Sequence, residues 1–194
     1  MERPDAPGAG GPAETVVGFV NTREDTSGRI ERFGSASDFA DWARENGLLT
    51  EGIVSESEAT AARELRSSLL TVMLAHSDHP GTAPEQVEDA EAQLAHAAEL
   101  YPVKITLSVA GSSLESQGRG AAGVFGSVLA AANEVVQRGG WARIKACCSH
   151  PCEHGFVDRT KNGARRYCSS ACASRAASRA MRGRQRKNPE QPTA

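Results

Sequence analysis

The sequence predicts an α+β fold, with a mainly helical N-terminal domain that has a few strands and, after it, a small cysteine-rich module. The first part of this prediction rests on apolar side chains that recur every three or four residues before residue 138, the period of an amphipathic helix. The second part rests on the cysteines. All five lie between Cys147 and Cys172, and an odd number in one short segment favours metal binding over a disulfide framework.

Composition indicates how the 194 residues are divided. Residues 1–13 are rich in Pro, Gly and Ala without periodicity, so we expect a disordered leader. The pair Gly139-Gly140 marks a boundary between a first domain over residues 14–138 and the cysteine-rich module over residues 141–187. Residues 188–194 are expected to form a disordered tail.

Four helices are predicted in the first domain from apolar periodicity and from residues that begin or end helices. Ser37 is suited to capping a helix, and the segment Ser55-Glu56-Ser57-Glu58 is a capping box. Pro84 fits a first helical turn, whereas Pro102 cannot continue a helix. The predicted helices run from Ser37 to Gly47, from the capping box to about His76, from Pro84 to Pro102 and over residues 121–137.

Two segments of the first domain have strand signals. Residues Thr15 to Asn21 are short and β-branched and predict a strand, although the start of a buried helix fits nearly as well. Val103, Ile105, Leu107 and Val109 alternate with polar residues, the period-two pattern of a strand with one buried face. Gly111 then begins a turn or hairpin.

Charge is distributed unevenly along the chain, although the formal net charge is only -2. Residues 141–187 contain 12 Lys and Arg against two acidic residues, Glu153 and Asp158, which gives this module a formal charge of +10 and leaves -12 for the rest of the chain. A positive charge of this density suggests that the partner of the module is a polyanion.

Neither a membrane protein nor an enzyme is predicted. No segment approaches the roughly 18 to 20 consecutive apolar residues that cross a bilayer, so we expect a cytoplasmic protein without a membrane partner. No catalytic group of residues emerges, and His76, His79 and His96 fit a solvated surface. Asn21 and Thr22 beside an apolar run fit either a ligand pocket or a cap for the following turn, and we favour the cap.

The cysteines form two short pairs that are suited to one zinc ion. Cys168 and Cys172 make the second pair, and Cys152 joins either Cys147 or Cys148 in the first. Each short spacing lets one turn present two thiolates from the same side, as tetrahedral zinc requires, and His150 and His154 are alternative ligands. If Ser169 or Ser170 caps a helix there, Cys172 lies in its first turn. Four thiolates leave no open position, so the zinc is expected to be structural.

The module is predicted to contain, in order, a zinc knuckle formed by the turn of the first cysteine pair, a hairpin and a helix. Residues 155–158 and 165–168 have strand signals on either side of a Lys161-Asn162-Gly163 turn, and this order is typical of a treble-clef-like zinc finger. Arg165 and Arg166, which precede the final helix, fit phosphate contacts. Within the helix, four arginines follow one another at steps of four, three and four residues, so they share one face that is suited to binding DNA. The arginines on the helix face are Arg175, Arg179, Arg182 and Arg186.

Residues 141–175 resemble the CGNR zinc finger of bacterial stress-induced transcription regulators, in which an ABATE domain precedes the finger. Residues 15–22 are similar to the opening motif of that domain. The resemblance implies one zinc ion on Cys147, Cys152, Cys168 and Cys172. The motif Cys-Gly-Asn-Arg stands here as Cys172-Ala173-Ser174-Arg175, and Tyr167 stands where the family usually has tryptophan. Metal binding should survive both departures, while the first puts the family's base preference in doubt.

These observations predict a DNA-binding transcription regulator that is associated with the nucleoid. Double-stranded DNA is the expected partner of the basic helix. For the acidic N-terminal domain we expect sensing or dimerisation, so a homodimer and a small-molecule effector are further partners open to it. The alternatives are an RNA-binding module and a protein-interaction finger, which salt-sensitive competition between DNA and RNA would distinguish.

Overall fold

The computed structural model describes residues 10–25 and 28–187, with side chains through Arg184. The predicted tail and most of the predicted leader lie outside these residues. Among them, no helix has the length and apolar character needed to cross a membrane. The helices are α1 (Pro12–Val20), α2 (Ala36–Glu45), α3 (Glu56–Ala75), α4 (Pro84–Leu100), α5 (Gly120–Gln137) and α6 (Ser170–Lys187), with a short 3-10 turn at Trp141–Arg143. The strands are β1 (Val103–Ser108), β2 (Gly111–Ser116), β3 (Ile144–Ala146) and β4 (Gly155–Val157).

Helix α1 corrects the prediction of a strand over Thr15 to Asn21. It begins at Pro12, inside the predicted leader, because proline fits the first turn of a helix. Val16, Phe19 and Val20 are buried, which is the spacing of a helix and not of a strand. Burial of this face overrides the weak β-propensity of the valines.

The starts of α2 and α3 show how local sequence sets helix boundaries. The capping box of α3 is confirmed, because the Ser55 hydroxyl accepts from Glu58 N at 3.3 Å and the Glu58 carboxylate accepts from Ser55 N at 2.8 Å. The prediction that Ser37 caps α2 is wrong. Ser35 is the cap, accepting from Asp38 N at 3.1 Å, and Ser37 lies in the first turn.

The β1–β2 hairpin confirms the strand signal but not the expected burial. Ile105 pairs with Leu114, yet Ile105 is 64% exposed and Leu107 is 79% exposed. The hairpin contacts α5 at its base, where a Cβ on Gly126 would lie 2.3 Å from Ser116 Oγ. Leu107 lies nearer the tip, beyond this contact. The alternating pattern therefore records the pleat of the strand correctly, although every residue of β1 after Val103 is exposed on either face.

The hydrophobic core includes residues from both ends of the chain. Aromatic rings from α1, α2, α5 and the segment before α2 pack against one another, with centroids 4.9 to 5.6 Å apart. Ile144 and Ala146 of β3 are fully buried in the same core. The C-terminal module (residues 141–187) is therefore packed into the helical region (α1 to α5) and not attached by a free linker. The rings are those of Phe19, Phe33, Phe39, Trp42 and Phe125.

The second sheet corrects the predicted hairpin of the C-terminal module. β4 pairs with β3, with Ile144 opposite Val157, and not with residues 165–168. Residues 158–168 instead wrap around the buried Lys145 side chain, whose Nζ donates to Gly163 O and, at 3.2 Å, to Arg165 O. A lysine within β3 is the sequence feature that organises this loop, because its ammonium group needs several acceptors once it is buried.

Candidate metal centre and basic helix

Four cysteine side chains meet at one point of the C-terminal module. The sulfur atoms of Cys147, Cys152, Cys168 and Cys172 all lie within 4.8 Å of one another. Cys168 Sγ is 3.7 Å from Cys152 Sγ and 3.6 Å from Cys172 Sγ. Two thiolates on one tetrahedral zinc ion, each about 2.3 Å from the metal, are about 3.8 Å apart. The cluster therefore has the size and the soft ligands that zinc requires.

Local backbone structure brings the four thiols together. Cys147 follows β3, and a tight turn in which Cys152 N donates to Ser149 O at 2.7 Å returns the chain to the cluster. Of the two serines predicted as caps, Ser169 is the cap of α6, since its hydroxyl accepts from Cys172 N at 3.2 Å. Cys172 thereby lies in the first helical turn, where the helix dipole favours a thiolate.

The structure distinguishes between Cys147 and Cys148. Cys147 is fully buried in the cluster, whereas the Cys148 thiol donates to Ser77 O at 3.3 Å, away from the other sulfurs. Burial raises the pKa of Cys148, which keeps it a neutral thiol. The cluster consists of four thiols, so neither of the alternative histidines belongs to it. His154 contacts Asn21 instead, at 3.5 Å.

The thiols of the cluster titrate differently from one another. Burial opposes the thiolate of Cys172, but hydrogen bonds from Ser169 and Arg175 lower its pKa to about 6. Burial, together with the neighbouring thiols, raises the pKa of Cys168. Thiolates this close repel one another unless a cation lies between them. A metal ion held by the four cysteines would supply that cation, and its binding would release the remaining thiol protons.

Arg175, predicted to contact nucleic acid, also contacts the cluster. One of its terminal nitrogens lies 2.9 Å from Cys172 Sγ. A cationic donor at a ligand sulfur reduces the negative charge that four thiolates place on the metal, as partners beyond the ligands commonly do. Arg175 therefore has a structural partner within the module, and a base contact by this residue stays a prediction.

A buried ion pair supports the loop between the two cysteine pairs. Lys145 Nζ lies 3.4 Å from Asp158 Oδ2, and both side chains are almost wholly buried. Burial would raise the pKa of the Asp158 carboxyl, but hydrogen bonds from Thr160, Arg165 N and Lys145 hold it well below its ordinary value. The carboxylate thus stays charged and fixes residues 158–165 ahead of the third cysteine.

The structure gives Arg165 and Arg166, predicted as phosphate contacts, partners inside the protein. Arg165 Nε donates to Tyr167 O at 2.8 Å, and its guanidinium carbon lies 5.3 Å from the centre of the Phe156 ring. Arg166 Nε donates to Ser77 O at 2.9 Å and a terminal nitrogen donates to Asp78 O. Arg165 holds the module together and Arg166 holds it to the segment that follows α3, so contact with phosphate stays a prediction for both.

Helix α6 extends the module away from its metal centre. Cys172, Ala173 and Ala176 are buried or half-buried, and every described residue from Ala177 to Arg184 is exposed. Arg175, Arg179 and Arg182 share one helical face as predicted and line the same groove beside the turn at residues 149–152. The side chain of Arg186, the fourth predicted residue, lies outside the described side chains.

Asn21 and Thr22 have structural partners that the sequence did not predict. The Asn21 side chain accepts from Gly155 N at 2.7 Å and donates to Gly155 O at 3.0 Å, so it holds β4 as a neighbouring strand would. Thr22 is buried, donating to Phe19 O at 2.7 Å and accepting from Arg66 at 3.1 Å. A ligand pocket at these residues stays a prediction.

The C-terminal end of α3 forms a second attachment to the module. His76, expected on a solvated surface, is partly buried and its Nδ1 lies 2.8 Å from Ile144 O. Burial lowers the pKa of His76, which favours the neutral ring in this contact. Ser77 donates to Ala146 O at 2.7 Å. Sequence reasoning missed both residues, since each binds a backbone carbonyl about 70 positions later in the chain.

Comparison with known proteins gives two family matches. The model of the ABATE domain, described as "Putative stress-induced transcription regulator", matches residues 13–137. The model of the CGNR zinc finger matches residues 143–185. Comparison with curated proteins gave no match. The family match and the four clustered thiols together identify one structural zinc site in the C-terminal module.

Proposed function

Because the chain belongs to the ABATE family of stress-induced transcription regulators and carries a CGNR zinc finger, we propose that it binds double-stranded DNA through α6. The observation that carries this proposal is the exposure of α6. From Ala177 to Arg184 the helix buries no described side chain, although it continues to Lys187. A helix that leaves the protein body in this way is available to a partner.

The composition of α6 fits duplex DNA. Its small alanines and serines keep it slim, so that a helix about 10 to 12 Å across can enter a major groove about 12 Å wide. Its described arginines provide donors for phosphate oxygens or guanine edges. The proposed contacts on α6 are Arg175, Arg179, Arg182 and Arg186. Arg165 and Arg166 each use Nε and one terminal nitrogen to bind backbone carbonyls, so we propose that the other terminal nitrogen of each contacts phosphate.

Charge supports a nucleic acid as the partner of the module. Its formal charge of +10 falls to about +8 when four thiolates and one Zn²⁺ ion are included. The rest of the chain carries -12, so it would repel the same polyanion. We therefore propose that DNA meets the C-terminal module and that the helical region senses a signal or dimerises, with a homodimer partner or a small-molecule effector as its ligand.

The metal centre is proposed to position α6 and not to catalyse a reaction. Four thiolates fill the coordination of zinc and leave no place for an activated water. Cys172 lies in the first turn of α6, so metal binding fixes where the helix begins and the direction in which it leaves the module. We propose accordingly that the protein is not an enzyme and that it acts on the nucleoid in the cytoplasm.

Retardation of a duplex at increasing salt tests this function. About six phosphate contacts should give a slope near -5 in a plot of log affinity against log salt. Charge reversal of Arg179 and Arg182 to Glu should abolish binding, while Arg119→Glu is the matched control. Arg119 is an exposed arginine before α5, outside the module. A flat salt response of the wild-type protein would refute DNA binding, and preference for structured RNA in competition would favour the RNA-binding alternative.

A further inference from the structure

A groove separates the turn at residues 149–152 from the first turns of α6, and we call it the knuckle groove. It has a volume of about 500 Å³. Its polar lining includes three arginines, a histidine and serine hydroxyls. Among the described residues that line it, the acidic one is Asp25, whose carboxylate lies 2.7 Å from the guanidinium group of Arg29. The groove therefore presents an excess of positive charge. The residues used below are Ser149, His150, Arg175, Ser178, Arg179 and Arg182.

Two of the three arginines are held in place by the protein itself. Arg175 contacts Cys172 Sγ at 2.9 Å, and a terminal nitrogen of Arg179 donates to the buried Ser149 hydroxyl at 3.0 Å. The second contact joins α6 to the opposite wall of the groove. Since side chains that are already ordered lose less conformational entropy on binding, these guanidinium groups are pre-organised for an anion.

Arg182 and His150 supply donors that have no partner among the described residues. Neither makes a hydrogen bond or ion pair within the described part of the chain, and both line the groove. Arg182 lies about one turn beyond Ser178 and Arg179 on the same side of α6, and all three residues line the groove. The planar fork of an arginine matches two oxygens of a phosphate group, and hydroxyls can donate to the same oxygens.

We propose that the knuckle groove binds a phosphodiester group of the DNA backbone, with Arg179 and Arg182 as its principal ligands and His150 and Ser178 beside them. This inference rests on the proposed function and adds which side of α6 faces the sugar-phosphate backbone. Arg184 is nine residues from Arg175, which at 100° per residue places it on the opposite side of the helix. It is equally exposed and lies outside the groove.

Matched substitutions on the two sides of α6 test the proposal in the full-length, zinc-loaded protein. Affinity for a fluorescent duplex is measured by anisotropy over a salt series. Arg182→Ala should weaken binding about tenfold and reduce the magnitude of the salt slope by about 1, whereas Arg184→Ala should change neither. A second pair adds a negative charge on each side. Ser178→Glu should weaken binding at least tenfold, and Ala177→Glu, about 100° around the helix, should weaken it less.

The outcomes separate the inference from the proposed function. If the wild-type protein binds duplex DNA with a steep salt slope but the Arg182 and Arg184 variants lose affinity equally, the groove is not the phosphate site although the proposed function stands. If the wild-type protein shows no salt-sensitive binding to duplex DNA, both the proposed function and the assignment of the knuckle groove are overturned. Saturable binding of inorganic phosphate at micromolar concentration, undisturbed by DNA, would assign the groove to a free anion and overturn the proposal. One zinc per chain in every variant confirms that each has folded.

Discussion

The helical region and the C-terminal module differ in what fills their interiors. Five aromatic rings and many aliphatic side chains pack at the centre of the helical region. The separate cluster inside the module contains Phe156, Tyr167 and the four cysteines of the zinc site. Burial of a large apolar side chain contributes about 1.5 to 3 kcal/mol, so the first interior can hold itself together. The second is too small for that and depends on metal and polar contacts.

The contrast also shows why the two parts are not independent. β3 contributes Ile144 and Ala146 to the large core, and the next residue, Cys147, is in the zinc cluster. Asn21 and His76 fasten the strands of the module to α1 and α3 through backbone groups. The module therefore takes part of its stability from the helical region and the remainder from zinc.

Removal of zinc is expected to have the largest effect. Chelation, or replacement of Cys168 and Cys172 by Ser, should unfold residues 147–187, because structural zinc contributes apparent free energies of about 10 to 16 kcal/mol in finger peptides. Hydrogen exchange should show lost protection in α6 and retained protection in α3 and α5. Cys148→Ser is the matched control, since Cys148 lies outside the cluster, and it should keep one zinc per chain. Full zinc content in the double variant would contradict the assigned site.

A substitution in the large core should produce the opposite pattern. Phe39 is fully buried between Phe33 and Phe125, and Phe39→Ala should lower the free energy of unfolding by about 3 to 5 kcal/mol through lost burial and a residual cavity. Denaturant unfolding followed by circular dichroism measures this change, and the folded variant should still bind one zinc ion. Leu107→Ala, at an exposed strand position, should change stability by less than about 0.5 kcal/mol. Equal effects of the two variants would contradict the core described above.

Asn21→Ala should have the smallest of the three effects. The substitution leaves Gly155 N and Gly155 O without their side-chain partner, which we expect to cost about 1 to 3 kcal/mol. Faster exchange of the Gly155 amide, with unchanged zinc content, is the expected observation. Asn46→Ala serves as a control, because Asn46 makes its contact within the helical region, at the end of α2. If both variants leave Gly155 exchange unchanged, Asn21 does not fasten the module.

Local signals in the sequence predicted most of the helices and the metal cluster. The α3 capping box and Pro84 mark real helix starts, and α5, which ends at Gln137, is followed by Gly139 with a φ of +70°. The spacing of the cysteines predicted the two pairs of thiols that meet, but it left open the choice between adjacent Cys147 and Cys148 and the alternative ligands His150 and His154. The choice between these two cysteines depended on the side-chain directions just after β3, where Cys147 enters the cluster and the Cys148 thiol donates to Ser77 O.

The errors arose where contacts between distant residues decide the structure. The valines of the α1 segment have β-propensity and predict a strand, but burial of the helical face against the core overrides that preference. The predicted partner of β4 was its nearest strand-like neighbour, residues 165–168, whereas the true partner is β3. Buried Lys145 and its acceptors draw residues 158–165 into a loop, and no local pattern indicated that this lysine would be buried.

The length of α6 has a mechanical consequence. Its 18 residues extend about 27 Å from the zinc-bound end, and Cys147 of the zinc cluster directly follows Ala146, which is buried in the core of the helical region. A rotation of about 10° at the zinc end would move the far tip by about 5 Å, more than the 3.4 Å between successive base pairs. A small change in the packing around Ile144 would therefore displace the far end of α6 enough to change which base pair it faces on a duplex.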